Sequence, residues 1–130
     1  MDVREQQVLY YKTALNIQPF REWRANIADQ VTLAAIDARI ARFRSGNFGD
    51  SRSIGGGASE NRIDLGPGYR IYYGRDGNDV VVLLCGGNKS TQAGDIEGAK
   101  AYWQDYKKRK RQEREKNAGV QRRPAKRPKK

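Results

Sequence analysis

Polar and apolar positions along the chain first follow a strand-like pattern, then a helical one, then a strand-like one again. "QQVLYYKT" (Gln6 to Thr13) is rich in β-branched and aromatic residues, which predicts a first strand. "PFREWRANI" then opens with Pro19, a residue favoured in a helix's first turn, and carries Phe20, Trp23 and Ile27 at helical spacing. A second helix is predicted over Gln30 to Arg44, with Leu33, Ile36, Ile40 and Phe43 as its stripe and Arg39, Arg42 and Arg44 outside it. "SGNFGD" (Ser45 to Asp50) supplies the glycine and asparagine that end it.

After Asp50 the period becomes two. "SRSI" predicts a short strand before the Gly55 to Gly57 run, and "SENRIDL", "YRIYYGR" and "DVVVLLC" predict three more, joined by "GPG" and "DGN" turns. "DVVVLLC" is apolar on both faces and belongs in the middle of the sheet. The loop "GGNKSTQAGD" leads into a last helix from about Asp95 to Lys116, its stripe made by Ile96, Ala99, Tyr102, Trp103 and Tyr106. Beyond Lys116 there is little to bury, and the tail is expected to be disordered in isolation. The order predicts an α+β domain: a mostly antiparallel sheet of four to five strands, two N-terminal helices and one C-terminal helix.

The hairpin around "GPG" determines which side chains share a face. A two-residue loop mixes core with charge. A three-residue loop, with Leu65 opposite Tyr69 and Gly68 in the left-handed position, places Ile63, Leu65, Ile71 and Tyr73 on one face. Glu60, Arg62, Asp64, Arg70 and Tyr72 then line the other, wet face. Two guanidiniums on one face invite an anion. The following loop adds Lys89, with glycines and free N–H groups expected at a helix start, in the manner of a phosphate seat.

Composition narrows the chemistry. The chain has no histidine, which removes His-based triads, most zinc sites and imidazole acid–base catalysis. Its single cysteine, Cys85, lies in an apolar run and reads as a buried structural thiol in a reducing compartment. No apolar stretch approaches membrane-spanning length and the N-terminus lacks signal-peptide character, so a cytoplasmic protein with no membrane partner is expected. Half of the 26 Lys+Arg residues, but only two of the 15 Asp+Glu, lie beyond Tyr106. The division that follows is a domain over 1–106 and a basic extension over 107–130.

"PFREW", "ARIARFRSGNFGDSRSIGGG", "ENRIDLGPGYRIYY" and "VVVLLCGGNKSTQAGDIEGAKAYWQDYKKR" together resemble the RelE/ParE superfamily toxins of type II toxin–antitoxin systems, nearest the HigB-like addiction module killer proteins. The resemblance runs from about Gln6 to Arg109. It implies a compact RelE-like, microbial-ribonuclease-type fold that needs no metal or other cofactor. It also implies endoribonuclease (mRNA interferase) activity, typically on mRNA in the ribosome, and neutralisation by a cognate antitoxin, HigA-like with a helix-turn-helix. By the same resemblance Arg70 falls on the arginine that contacts the scissile phosphate, Lys89 on the basic position after the central strand, and Arg62 on the arginine of the preceding strand. Gln92 and Asp95 fall where some ribonuclease members place a proton-transfer residue. Asn61 departs from the family's usual apolar residue; on an inward face an unpaired amide there costs about 1–3 kcal/mol.

A metal-free ribonuclease uses the RNA's own 2′-OH as nucleophile, and fixed cations stabilise the phosphorane. Arg70, Arg62 and Lys89 suit that role. Glu60, Asp95 and Tyr72 are the candidate proton-transfer groups. Arg52, Gln92 and the run Lys107, Lys108, Arg109, Lys110, Arg111 are the candidate RNA contacts. Two other functions fit the same letters: a ParE-like gyrase inhibitor without nuclease activity, and an inactive RNA-binding member.

Overall fold

A computed structural model describes residues 4–126. It is an α+β fold with five strands and three α-helices. In chain order these are β1 (Gln7–Tyr10), α1 (Pro19–Ala25), α2 (Gln30–Arg44), β2 (Ser51–Gly55), β3 (Ala58–Ile63), β4 (Tyr69–Asp76), β5 (Val80–Asn88) and α3 (Gln92–Lys126). The sheet order is β1-β5-β4-β3-β2. It is mixed, because β1 runs parallel to β5 while the other pairs are antiparallel.

The central position expected for the apolar strand is observed, since β5 lies between β1 and β4. Its side chains alternate between two cores. Val81 and Leu83 join Phe20 of α1 and Ile36, Ile40 and Phe43 of α2 on one face. Val82 and Leu84 join Tyr72, Ala99 and Trp103 beneath α3 on the other. Each face carries one indole seated on a strand glycine. A Cβ at Gly86 would come within 2.2 Å of the Trp23 ring, and one at Gly74 within 2.5 Å of the Trp103 ring. Only a residue without a side chain allows either contact.

Four details differ from the sequence expectations. β1 ends at Tyr10 rather than Thr13, because the chain turns where the Thr13 hydroxyl accepts hydrogen bonds from the Leu15 and Ile17 amides. The buried stripe of α2 takes Thr32 rather than Leu33; Asp29 caps the helix and accepts from both the amide and the hydroxyl of Thr32. β5 continues through both glycines to Asn88, since they pair with Arg70 and Ile71 of β4. α3 runs from Gln92 to Lys126 instead of stopping at Lys116. Beyond Lys116 the segment carries Ala118, Gln121, Arg122 and Arg123, which favour a helix, against Gly119 and Pro124, which do not; continuing an existing helix avoids the cost of a new nucleus. The tail expected to be disordered is therefore helical to Lys126, and residues 127–130 lie outside the described residues.

The β3–β4 register is also corrected. Ile63 pairs with Tyr69 and Arg62 with Arg70, so the loop runs from Asp64 to Gly68 and not from Gly66. Shifting the partner by two residues leaves every side chain on its expected face, because strand faces alternate with a period of two. The polar face is not wet along its whole length, however. α3 covers part of it, and Glu60 and Tyr72 have no exposed surface. On the opposite face Asn61 is buried too, yet its amide is satisfied. It donates to the Phe48 carbonyl at 2.8 Å and to Ser51 Oγ at 2.9 Å, and its oxygen accepts from Arg39 at 2.6 Å.

Candidate functional site

Arg62 and Arg70 stand directly opposite each other on β3 and β4. Like charges in such a pair repel, so each guanidinium needs a carboxylate of its own. Asp50, in the turn before β2, accepts from Arg62 at 3.2 and 3.4 Å. Glu60 places Oε2 3.4 Å from Arg70 Nε, and the Arg70 side chain is only 9% exposed. Arg70 also donates to the Gly68 carbonyl at 3.1 Å. Its Nε has no hydrogen-bond partner at normal distance. The strand therefore holds Arg70 from behind and leaves its outer edge toward the turn.

A cavity of about 290 Å³ opens there. Arg62, Arg70 and Lys89 line it together with Asp50, Asp64 and Tyr69. The three cations singled out in the sequence thus meet in one cavity. Lys89 reaches it from the 3₁₀ turn Lys89–Thr91, which follows β5 directly. Its ammonium makes no ion pair among the described residues. The backbone amides expected to assist it are already engaged. Asn88 caps the turn, its Oδ1 accepting from the Ser90 amide at 2.9 Å and the Thr91 amide at 3.2 Å. The seat is one of side chains, not of helix-terminal N–H groups.

Three proton-transfer candidates from the sequence lie outside this lining. Glu60 is saturated: Oε1 accepts from Arg52 Nε at 2.8 Å, and Oε2 from the Tyr72 hydroxyl at 2.9 Å and Gln92 Nε2 at 2.8 Å. Burial pushes its pKa up, but those three hydrogen bonds and the charge of Arg52 outweigh it and hold the carboxyl below its ordinary value. Burial and the Glu60 partner push the Tyr72 phenol far up. Asp95 accepts from Thr91 Oγ1 at 2.5 Å at the start of α3. These groups brace the site and do not face the cavity. Arg52 and Gln92, expected at RNA, belong to the same brace.

Asp64 and Tyr69 line the cavity and are not among the sequence candidates. Asp64 lies two residues after Arg62 on the same face, and that spacing was the available signal. No other described residue bonds its carboxylate. Cys85 is no nucleophile, since burial and then the Asp95 charge push its thiol up to about 12. Among the described residues no group of three His, Cys, Asp or Glu side chains is placed to hold a metal ion.

The basic run on α3 divides. Lys107 donates to the Gly56 carbonyl at 3.3 Å, and its ammonium lies over the Trp103 ring. Arg109 pairs with Asp105 at 2.7 Å and also donates to the Lys12 carbonyl, while Lys110 pairs with Asp76. These three fasten α3 to the sheet, together with the Tyr11 hydroxyl on Asp105 at 2.6 Å and the Tyr106 hydroxyl on Asp76 at 2.8 Å. Lys108 and Arg111 are exposed and make no ion pair with a described residue.

No protein-family model matches the sequence. An uncharacterized protein of Haemophilus influenzae is 45% identical over 86 residues, which make up 66% of this chain and 87% of that protein. The chain belongs to the same family as that Haemophilus influenzae protein.

Proposed function

We propose that the protein is a growth-arresting toxin of the RelE/ParE type, with a RelE-like fold and a metal-independent endoribonuclease activity on mRNA. The observation that carries the reading is the convergence of Arg62, Arg70 and Lys89 on one cavity about 290 Å³ in volume. Such a trio suits a phosphodiester whose charge grows in the transition state.

In this reading Arg70 is the fixed cation, its guanidinium set by the β4 register and by Glu60 behind it. Arg62 exchanges Asp50 for phosphate; an exposed pair of this kind is worth about 0–1 kcal/mol, so the exchange is easy. Lys89 closes the third side. The RNA 2′-oxygen attacks phosphorus, its proton passes to the free carboxylate of Asp64, and the bond to the 5′-oxygen breaks. The 5′-oxygen takes a proton from water, leaving a 2′,3′-cyclic phosphate on the upstream fragment.

With no strong acid in the lining, cleavage of free RNA is slow, and a ribosome that bends the message into line raises the rate. The protein acts in the cytoplasm and is silenced by a helix-turn-helix antitoxin. No helix among the described residues is long and apolar enough to cross a membrane.

Expression of Arg70→Ala beside the unaltered chain tests the reading. The unaltered protein arrests growth and leaves mapped breaks in transcripts by primer extension. Arg70→Ala is less stable but leaves Glu60 paired with Arg52, so it stays folded by circular dichroism and does neither. Full toxicity from folded Arg70→Ala removes the assignment. Arrest with DNA breaks and intact transcripts transfers the target to gyrase.

A further inference from the structure

The sheet has an open edge at β1, which stands last in the strand order with β5 on one side only. Because that pairing is parallel, alternate residues bond β5. The Gln7 amide donates to the Asp79 carbonyl at 2.7 Å and the Tyr11 amide to the Leu83 carbonyl at 2.9 Å. The N–H and C=O groups of Val8 and Tyr10 are out of phase with those residues, point away from β5 and bond no described residue. Both ends of this stretch are closed. The Gln6 amide donates to the Arg44 carbonyl at the end of α2, and the Lys12 carbonyl accepts from Arg109 of α3. So short an edge guards against indiscriminate pairing and leaves room for one strand.

A cavity lies on each side of that edge, and Tyr10 lines both. On the α3 side, a cavity of about 380 Å³ has Leu9 and Tyr106 in its walls. Its charges balance: Arg109 and Lys110 pair with Asp105 and Asp76, which leaves Lys12 against Glu113. On the other side, a cavity of about 340 Å³ opens between Tyr10 and the helices α1 and α2. Arg24 and Asp37 in its lining pair with each other at 2.7 Å. Arg21 makes no ion pair among the described residues, and its guanidinium rests 4.1 Å from the centre of the Tyr10 ring. One side therefore suits an apolar side chain and the other a carboxylate.

We propose that this edge takes an extended, acidic segment of another protein, which joins the sheet as an additional strand beside β1. Such a strand lies about 4.8 Å from its neighbour and sends alternate side chains to opposite faces. Its apolar residues enter the cavity between Leu9 and Tyr106, and the carboxylates between them meet Arg21. A second copy of this chain is the poorer occupant, since it brings a net charge of +11 against +11. The proposal does not depend on the cleavage reading, because neither cavity shares a residue with the one between β3 and β4.

Fluorescence anisotropy on the full chain tests the edge with two capped peptides of equal charge and composition, the alternating Glu-Leu-Glu-Leu-Glu-Leu and the block Glu-Glu-Glu-Leu-Leu-Leu. The alternating peptide is expected to bind at least about tenfold more tightly and to slow amide hydrogen exchange at Val8 and Tyr10. Methylating one set of its alternate amide nitrogens, the set that faces β1, abolishes binding, and methylating the other set does not. Arg21→Glu weakens binding about tenfold. Arg21→Lys keeps it and guards against loss through misfolding. No binding, equal binding of the two peptides, or binding that survives methylation of either set overturns the proposal. Exchange at Val8 and Tyr10 that slows with protein concentration in the absence of peptide gives the edge to a second copy and overturns it as well.

Discussion

Two cavities with cations in their walls, the one between β3 and β4 and a second of about 300 Å³ between the end of β4 and α3, lined by Lys107, Lys110, Arg111 and Arg114 around Asp76, are built in opposite ways. Between β3 and β4, Arg70 is almost buried and backed by a carboxylate that three further side chains hold in place. Along α3, Arg111 and Arg114 are exposed, and only helix spacing arranges them. A charge braced from behind points at one spot and needs no reorganisation when charge develops there. Charges spaced along a helix face follow a chain instead and tolerate its movement. The difference also sets how each group couples to stability: the braced Arg70 is part of the fold, and Arg111 and Arg114 are not.

The largest expected effect breaks the brace. Glu60→Ala removes the acceptor of Tyr72, Gln92 and Arg52 and leaves Arg70 with no opposite charge within the sheet. Removing one partner of a buried pair costs about 3–5 kcal/mol. Single Gln substitutions at Arg111 or Arg114 stay within about 0.5 kcal/mol. Urea unfolding measures both. A Glu60→Ala loss as small as that of the groove variants erases the distinction between the two cavities.

A smaller effect follows from pH. The folded pKa of Glu60 lies below its ordinary value, so its contribution to stability is complete above the usual carboxylate range. That contribution disappears as pH falls through the lowered value. Asp76, held down first by Lys110 despite partial burial, and Asp105, held down first by Tyr11, act in the same direction where α3 docks. Urea midpoints followed from pH 7 into acid are expected to fall less steeply for Glu60→Gln than for the unaltered chain. Equal slopes place the acid sensitivity wholly at the α3 contacts.

How much of this was legible depended on whether the signal was local. Ile36, Ile40 and Phe43 of the α2 stripe, the central place of the "VVVLLC" strand and the faces of Arg62 and Arg70 follow from periodicity alone, which is why a register shifted by two residues did no harm. The parallel pairing of β1 with β5 joins residues far apart in sequence, and no local pattern announces it. Glu60 and Tyr72 carry the letters of a catalytic pair. They are a brace only because α3 crosses that face, a tertiary fact. Asn61 illustrates the same limit: as an isolated letter it is a costly inward amide, and Phe48, Ser51 and Arg39 make it a satisfied one.

The smallest effect on stability is also the sharpest probe of the first cavity. Asp50 and Arg62 are both more than half exposed, at 58% and 55%, and an exposed pair contributes about 0–1 kcal/mol. Asp50→Asn should therefore leave the urea midpoint almost unchanged. It also removes the carboxylate with which phosphate must compete for Arg62, while leaving Arg70 and its brace intact. A short 2′-O-methyl dinucleotide is expected to bind the Asp50→Asn variant more tightly than the unaltered chain, and the variant Asp50→Asn/Arg62→Gln to lose that gain. If Asp50→Asn instead weakens binding with Arg62 present, Asp50 positions the arginine and does not mask it. The first cavity would then be braced on both strands, and its contrast with the α3 groove would be sharper still.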